Sequence, residues 1–107
     1  MSLQNNKVFS MLSIAAKAGH VASGEFATEK AVKTGLAYLV IVSEEASDNT
    51  KKMFTNMTDF YGVPLYQFGT KEELGHFIGK QFRASLAITD ENLAKAVEKH
   101  LIQSKTE

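Results

Sequence analysis

Apolar residues recur at helical spacing in five stretches of the chain and run continuously in the gaps between them. Val8, Met11, Leu12 and Ala15 follow i, i+3, i+4, i+7, which predicts a first helix over roughly residues 4–18. A short second helix, about 24–34, carries Phe26, Lys30 and Val32. Met53, Met57, Phe60 and Tyr61 mark a third, about 48–61, with Ser47 or Asp48 as its cap. Thr70-Lys71-Glu72-Glu73 reads as a capping box and opens a fourth helix with Leu74, Phe77 and Ile78 on one face. Leu93, Val97 and Leu101 give the fifth, capped by Thr89 or Asp90. Gly19, Gly35, Gly62 and Gly79 each follow a helical pattern, where a left-handed residue closes the last turn.

The runs between these helices read as strands. Tyr38 to Val42 is continuous and β-branched, as a strand covered on both faces is. Val63 to Phe68 and Ser85 to Ile88 are two more, and His20 to Ser23 is short enough for an edge. Helices alternating with strands predict an α/β sandwich, with helices on both faces of a small central sheet. At 107 residues the chain fits a single domain, with an ordered core over about 5–102 and a polar, frayed end from Gln103 to Glu107.

Composition narrows the chemistry. The 44% hydrophobic and 22% charged content is that of a folded globular protein. The absence of cysteine excludes disulfides, thiol nucleophiles and thiolate zinc sites. No apolar stretch approaches the ~18 residues of a membrane span, and the N-terminus lacks a signal-like apolar run, so a cytoplasmic protein without membrane contact is expected. Twelve basic residues balance twelve acidic ones. That balance argues against a uniformly basic nucleic-acid binder but leaves room for a local basic face. His20, His76 and His100 show no metal-ligand spacing, and the chain holds no phosphate loop, dinucleotide fingerprint or nucleophile elbow. Neither a catalytic site nor a cofactor or metal is expected. Glu44-Glu45 reads as a solvated turn at a strand end.

Two segments do carry candidate chemistry. Ser23-Gly24-Glu25 stands between a strand and a helix, with Ser23 placed to cap the helix and Gly24 to admit a close backbone or phosphate. Lys30 follows less than two turns later. The plainer reading is a capped surface helix with an ordinary lysine. The second segment is the stretch from Leu74 to Ala84. Gly75 interrupts a helix at a cost of about 1 kcal/mol, so packed backbone or a partner must need the missing side chain. The loop Lys80-Gln81-Phe82-Arg83-Ala84 mixes basic groups with an aromatic, and Arg83 is the sole arginine. Such a loop suits nucleic acid. The plainer reading puts Phe82 in the core and Arg83 on backbone carbonyls. If the flanking strands are neighbours, Lys17, Lys30, Lys33, Lys80 and Arg83 form one basic patch, with Glu44, Glu45, Glu72, Glu73, Glu91 and Glu98 elsewhere.

Taken in order, Ser23–Glu25, Lys30, Gly35–Val40, Ser43–Ser47, Val63-Pro64, Leu74-Gly75 with Ile78-Gly79-Lys80, and Ala87–Asp90 make the chain resemble the kink-turn RNA-binding ribosomal-protein superfamily of archaea and eukaryotes. Within it the chain is similar to the short bacterial members of the YlxQ type, over about residues 7–100. The resemblance implies a three-layer α/β/α fold around a four-stranded mixed sheet. It also implies binding to kink-turns, RNA bends flanked by sheared G·A pairs. By that resemblance the start of the second helix reads the G·A pairs, here Gly24, Glu25, Phe26 and Ala27 with Lys30. The loop before the last strand, here Lys80 to Ser85, covers a splayed base.

One departure stands out. Where strong kink-turn binders carry Asn and Glu, two and three residues after the glycine, this chain has Phe26 and Ala27. Neither side chain can hydrogen-bond a base edge. If DNA values transfer, each lost bidentate contact weakens readout by ~1–3 kcal/mol. The expected protein is therefore a non-catalytic, monomeric binder of structured RNA, a kink-turn or ribosomal RNA, working with the ribosome or translation factors. A protein-interaction module on the same scaffold is the alternative, because an apolar helix start suits a protein partner. The scaffold also occurs fused to RNA ribose methyltransferases, but no methyltransferase half is visible in this sequence.

Overall fold

The computed structural model describes residues 3–105. Among these the elements run α1 (Leu3–Lys17), β1 (Val21–Ser23), α2 (Glu25–Lys33), β2 (Leu39–Val42), α3 (Asp48–Tyr61), β3 (Leu65–Gln67), α4 (Lys71–Phe77), β4 (Ser85–Ile88) and α5 (Glu91–Lys105). This is the predicted order. Of the paired cap candidates, Ser47 caps α3, its hydroxyl accepting from the Thr50 N–H at 3.1 Å. Asp90 caps α5, its carboxylate accepting from the Leu93 N–H at 2.9 Å. The capping box at α4 is complete: Thr70 Oγ1 accepts from the Glu73 N–H at 3.0 Å and Glu73 Oε1 from the Thr70 N–H at 2.9 Å. The expected fraying from Gln103 onward is not seen as far as Lys105. There α5 continues as helix, and the Ser104 hydroxyl bonds Asn5 Oδ1 of α1. The rest of that expectation, residues 106–107, lies outside the described residues.

The four strands form a mixed sheet in the order β1-β4-β2-β3. β4 pairs antiparallel with both β1 and β2, while β3 lies parallel to β2. Alternation along the strands sorts side chains into two cores. Leu39, Ile41, Leu86 and Ile88 pack on one face with Val8 and Leu12 of α1, Leu74 of α4 and Val97 and Leu101 of α5. Val40, Val42 and Ala87 pack on the other with Ala31 and Val32 of α2 and Phe54 of α3. The result is three layers, α1, α4 and α5 over the sheet and α2 and α3 under it. β2 and β4 are buried throughout, which is why their sequence runs are apolar on both faces. Each buried Leu, Ile or Val side chain contributes about 1.5–3 kcal/mol.

Gly75 explains how the chain leaves α4. A Cβ at this position would lie 1.4 Å from the Gln81 carbonyl oxygen and 2.4 Å from its carbon. The loop after Gly79 therefore folds back along α4 with backbone against backbone. It is held by the Lys80 N–H on the Gly75 carbonyl at 2.8 Å and the Arg83 N–H on the Lys71 carbonyl at 3.0 Å. Of the two needs the sequence allowed at Gly75, the structure shows packed backbone.

Gly75→Ala tests this contact. Helix propensity alone would stabilise the variant by about 1 kcal/mol. The clash reverses the sign, and we expect a net loss of about 2 kcal/mol or more, read as a lower urea midpoint at unchanged m-value. A variant as stable as the parent would refute the close approach. Thr70→Ala removes one half of the capping box and is expected to cost about 1 kcal/mol in the same titration.

Candidate functional site

Because β4 runs against both neighbours, its first residue lies beside the last residues of β1 and β2. The registers are Ser23 opposite Leu86 and Val42 opposite Ser85. Backbone bonds extend this beyond the strands. The Gly24 N–H donates to the Ser85 carbonyl at 2.9 Å, and the Ser43 N–H to the Ala84 carbonyl at 2.8 Å. The Glu44 N–H reaches the Gly69 carbonyl at 2.9 Å. One rim of the sheet thus gathers the start of α2, the β2–α3 turn, the start of α4 and the Lys80–Ala84 loop.

Ser23 was expected to cap α2, and the structure corrects this. Gly24 is the cap residue, at φ 94° and ψ 162°, and no side chain accepts from the first turn. Ser23 lies one residue too early, and its hydroxyl accepts from Arg83 Nε–H instead, at 3.2 Å. Arg83 also donates from Nη1 to the Phe82 carbonyl at 2.9 Å. Two of the five guanidinium donors are thereby used to hold the group at the rim. The hydrogen bonds among the described residues leave the other three free for an external acceptor. The plainer reading of Arg83 on a carbonyl is thus part of the picture, whereas Phe82 is not in the core: it is 67% exposed.

The first turn of α2 carries Glu25, Phe26 and Ala27 at the rim. Phe26 is exposed and Ala27 half-buried. Thr28, Ala31 and Val32 take the buried face, which leaves Lys30 outside, one turn past Phe26. Lys80 and Gln81 are exposed in the loop and Ala84 is half-buried at its end. No carboxylate among the described residues pairs with Lys30, Lys80 or Arg83.

The five-residue basic patch is not gathered as one. Lys33 sits at the far end of α2, about 13 Å from Gly24 at helical rise, and pairs with Glu29 at 3.4 Å. Lys17 ends α1 and lines a shallow cleft with Ser13, His76, Phe77 and Gly79, in the layer opposite α2. The rim itself holds Lys30 and Arg83, while Lys80, at the far end of the returning loop, lines a cleft with Glu72, His76, Gln81 and Phe82. Nor do all the acids stay away. Glu45 and Glu72 flank Phe82 in a cleft that also takes in Thr70 and Lys71. The reason is the start of α4, whose free N–H groups draw carboxylates: Glu45 Oε1 accepts from the Lys71 N–H at 2.9 Å, beside the Glu73 half of the capping box.

Sequence reasoning missed Ser43 and Glu45. Ser43 is fully buried, its hydroxyl donating to the Gly69 carbonyl at 3.0 Å and accepting from the Glu45 N–H at 3.0 Å. Both residues tie the β2–α3 turn to the start of α4 across 26 positions of sequence. Only the parallel β2–β3 pairing makes those positions neighbours. Lys51 and Lys52 were also passed over; they stand in the opening turns of α3, which begins at the same rim.

Relatives share this architecture. The chain is 37% identical over 86 residues to the RNA-binding protein YlxQ of Bacillus subtilis (strain 168), covering 80% of this chain and 86% of that one. It is 33% identical over 84 residues to the large ribosomal subunit protein eL30 of Sulfolobus acidocaldarius, covering 77% and 81%. A solved structure of a Bacillus halodurans protein of unknown function superposes with a TM-score of 0.87 at 31% identity, covering 90% of this chain and 97% of that one. The description "Ribosomal protein L7Ae/L30e/S12e/Gadd45 family" matches residues 6–98, from within α1 to within α5, and with that span of the fold accounted for, the chain belongs to this family.

Proposed function

We propose that this protein is a non-catalytic binder of structured RNA, such as a kink-turn, and that it works as a monomer with the ribosome or translation machinery. The observation that carries the reading is the junction of the two candidate segments. The Arg83–Ser23 and Gly24–Ser85 hydrogen bonds make the start of α2 and the Lys80–Ala84 loop one surface. That surface offers a guanidinium with spare donors, two unpaired lysines and two exposed aromatic rings. Cations meet phosphates, and rings meet bases. The names of the relatives, an RNA-binding protein and a ribosomal protein, point the same way.

The neutral net charge fits this assignment because affinity here depends on a few placed cations rather than on a basic surface. Ser23, Gly24, Glu25, Phe26, Ala27 and Lys30 would form one wall of the site, and Lys80, Gln81, Phe82, Arg83 and Ala84 the other. Lys17 and Lys33 would lie at its margins.

Binding of a kink-turn RNA and of a plain duplex of equal length, each titrated with salt, tests the reading. We expect the kink-turn to bind more tightly, and Lys30→Ala to weaken it while reducing the slope of log K against log salt by about one. Arg83→Ala is expected to cost more than Lys30→Ala, because it also frees the loop from Ser23. Unchanged affinity in both variants, or no RNA binding at low salt, would refute the proposed surface.

A further inference from the structure

Phe26 is the second residue of α2 and is 71% exposed. The ring–ring contacts among the described residues, Phe9 with Phe68 and Phe77, Phe60 with Tyr61 and His76 with Phe77, do not involve it. It stands two residues past Gly24, whose N–H is bonded to Ser85, so it is tied closely to the rim. Lys30 follows one turn along the same outer face.

Charge sorts what can approach this ring. Glu25 opens α2, and its carboxylate repels a phosphate from the free N–H groups of the first turn. Two cations lie nearby without carboxylate partners among the described residues: Lys30 one turn further along α2, next to the Glu29–Lys33 pair, and Arg83, bonded to Ser23 just before the helix. A polyanion therefore has places for its phosphates beside Phe26 but not upon it. Phe26 and Ala27 also lack side-chain hydrogen-bonding atoms. A ligand group opposite them gains nothing from a polar edge. The group that fits a bare, exposed ring near cations is a flat, neutral one: the face of a nucleobase.

We infer that Phe26 is a base-stacking platform. The RNA this protein binds offers the open face of an unpaired or helix-terminal base to the first turn of α2, with its backbone running toward Lys30 and Arg83. Recognition at this point is by shape, and the identity of the base is not read. The inference rests on the RNA-binding reading above.

The test uses the kink-turn RNA with 2-aminopurine placed at each loop position in turn, and the variants Phe26→Ala, Phe26→Leu and Phe26→Trp beside Arg83→Ala. Phe26→Ala and Phe26→Leu should each weaken binding roughly 5- to 150-fold, the span of one lost base–aromatic stack, with the salt slope unchanged. Phe26→Trp should bind as the parent does. One 2-aminopurine position should change fluorescence on binding the parent and the Trp variant but not the Leu variant. Parental affinity in Phe26→Leu, or no loop position responsive to Phe26, overturns the inference. If Arg83→Ala still weakens binding in that case, the RNA-binding reading survives alone. A parent protein that binds no RNA defeats both. A Phe26→Ala defect confined to a complex with another protein, with RNA affinity at the parental level, overturns the stacking inference alone.

Discussion

The antiparallel pairing of β4 with both β1 and β2 is the contact on which the other features depend. It buries Leu86 and Ile88 in one core and Ala87 in the other, so a single strand joins the two layers of helices. Its direction also decides where the chain must go. α4 starts at the rim and runs away from it, yet β4 must begin at the rim. The chain returns along α4 in a few residues, and only a helix without a side chain at position 75 lets the backbone lie that close. Gly75, the Lys80–Ala84 loop and the placement of Arg83 are thus consequences of one strand's orientation.

The same rim shows how a neutral chain builds a charged site. Arg83 is fixed by two hydrogen bonds within the protein, so its remaining donors are aimed before any ligand arrives. Glu45 and Glu73 are engaged by the backbone N–H groups that open α4. Glu72 and Glu45 flank Phe82 in one cleft. Cations and carboxylates are therefore interleaved, with Glu25 opening α2 ahead of Lys30 and with Lys71 and Lys80 among Glu45 and Glu72 around Phe82. Such a pattern orients a polyanion more than it attracts one, and screening by salt leaves the geometry in place.

Membership of the family does not by itself settle what the chain reads. On the proposed reading the first turn of α2 faces the RNA, and the residues there set what that turn can recognise. Phe26 and Ala27 offer area and shape where a polar pair would offer hydrogen bonds. Stacking accepts any base, whereas edge contacts select one, so under the proposed stacking role Phe26 and Ala27 would favour selectivity of form over selectivity of sequence.

Most of the fold was legible along the chain because its signals are local. The helices were visible in the 3.6-residue period, the α4 box in Thr70 and Glu73, and the stops in Gly19, Gly35, Gly62 and Gly79, which all take φ between 71° and 79°. The apolar runs of β2 and β4 announced strands covered on both faces. The residues alone also singled out Gly24, Lys30, Gly75 and the Lys80–Ala84 loop; family resemblance added the strand arrangement. What only the tertiary structure decided is which distant residues meet. Ser23 serves Arg83 rather than its own helix, Glu45 caps a helix 26 residues later, and Lys17 and Lys33 stand apart from the rim. Those outcomes follow from strand order and register, which bring together positions far apart in sequence. A residue's own neighbours in the chain fix its backbone conformation, but the partner of its side chain is set by the packing of the whole sheet.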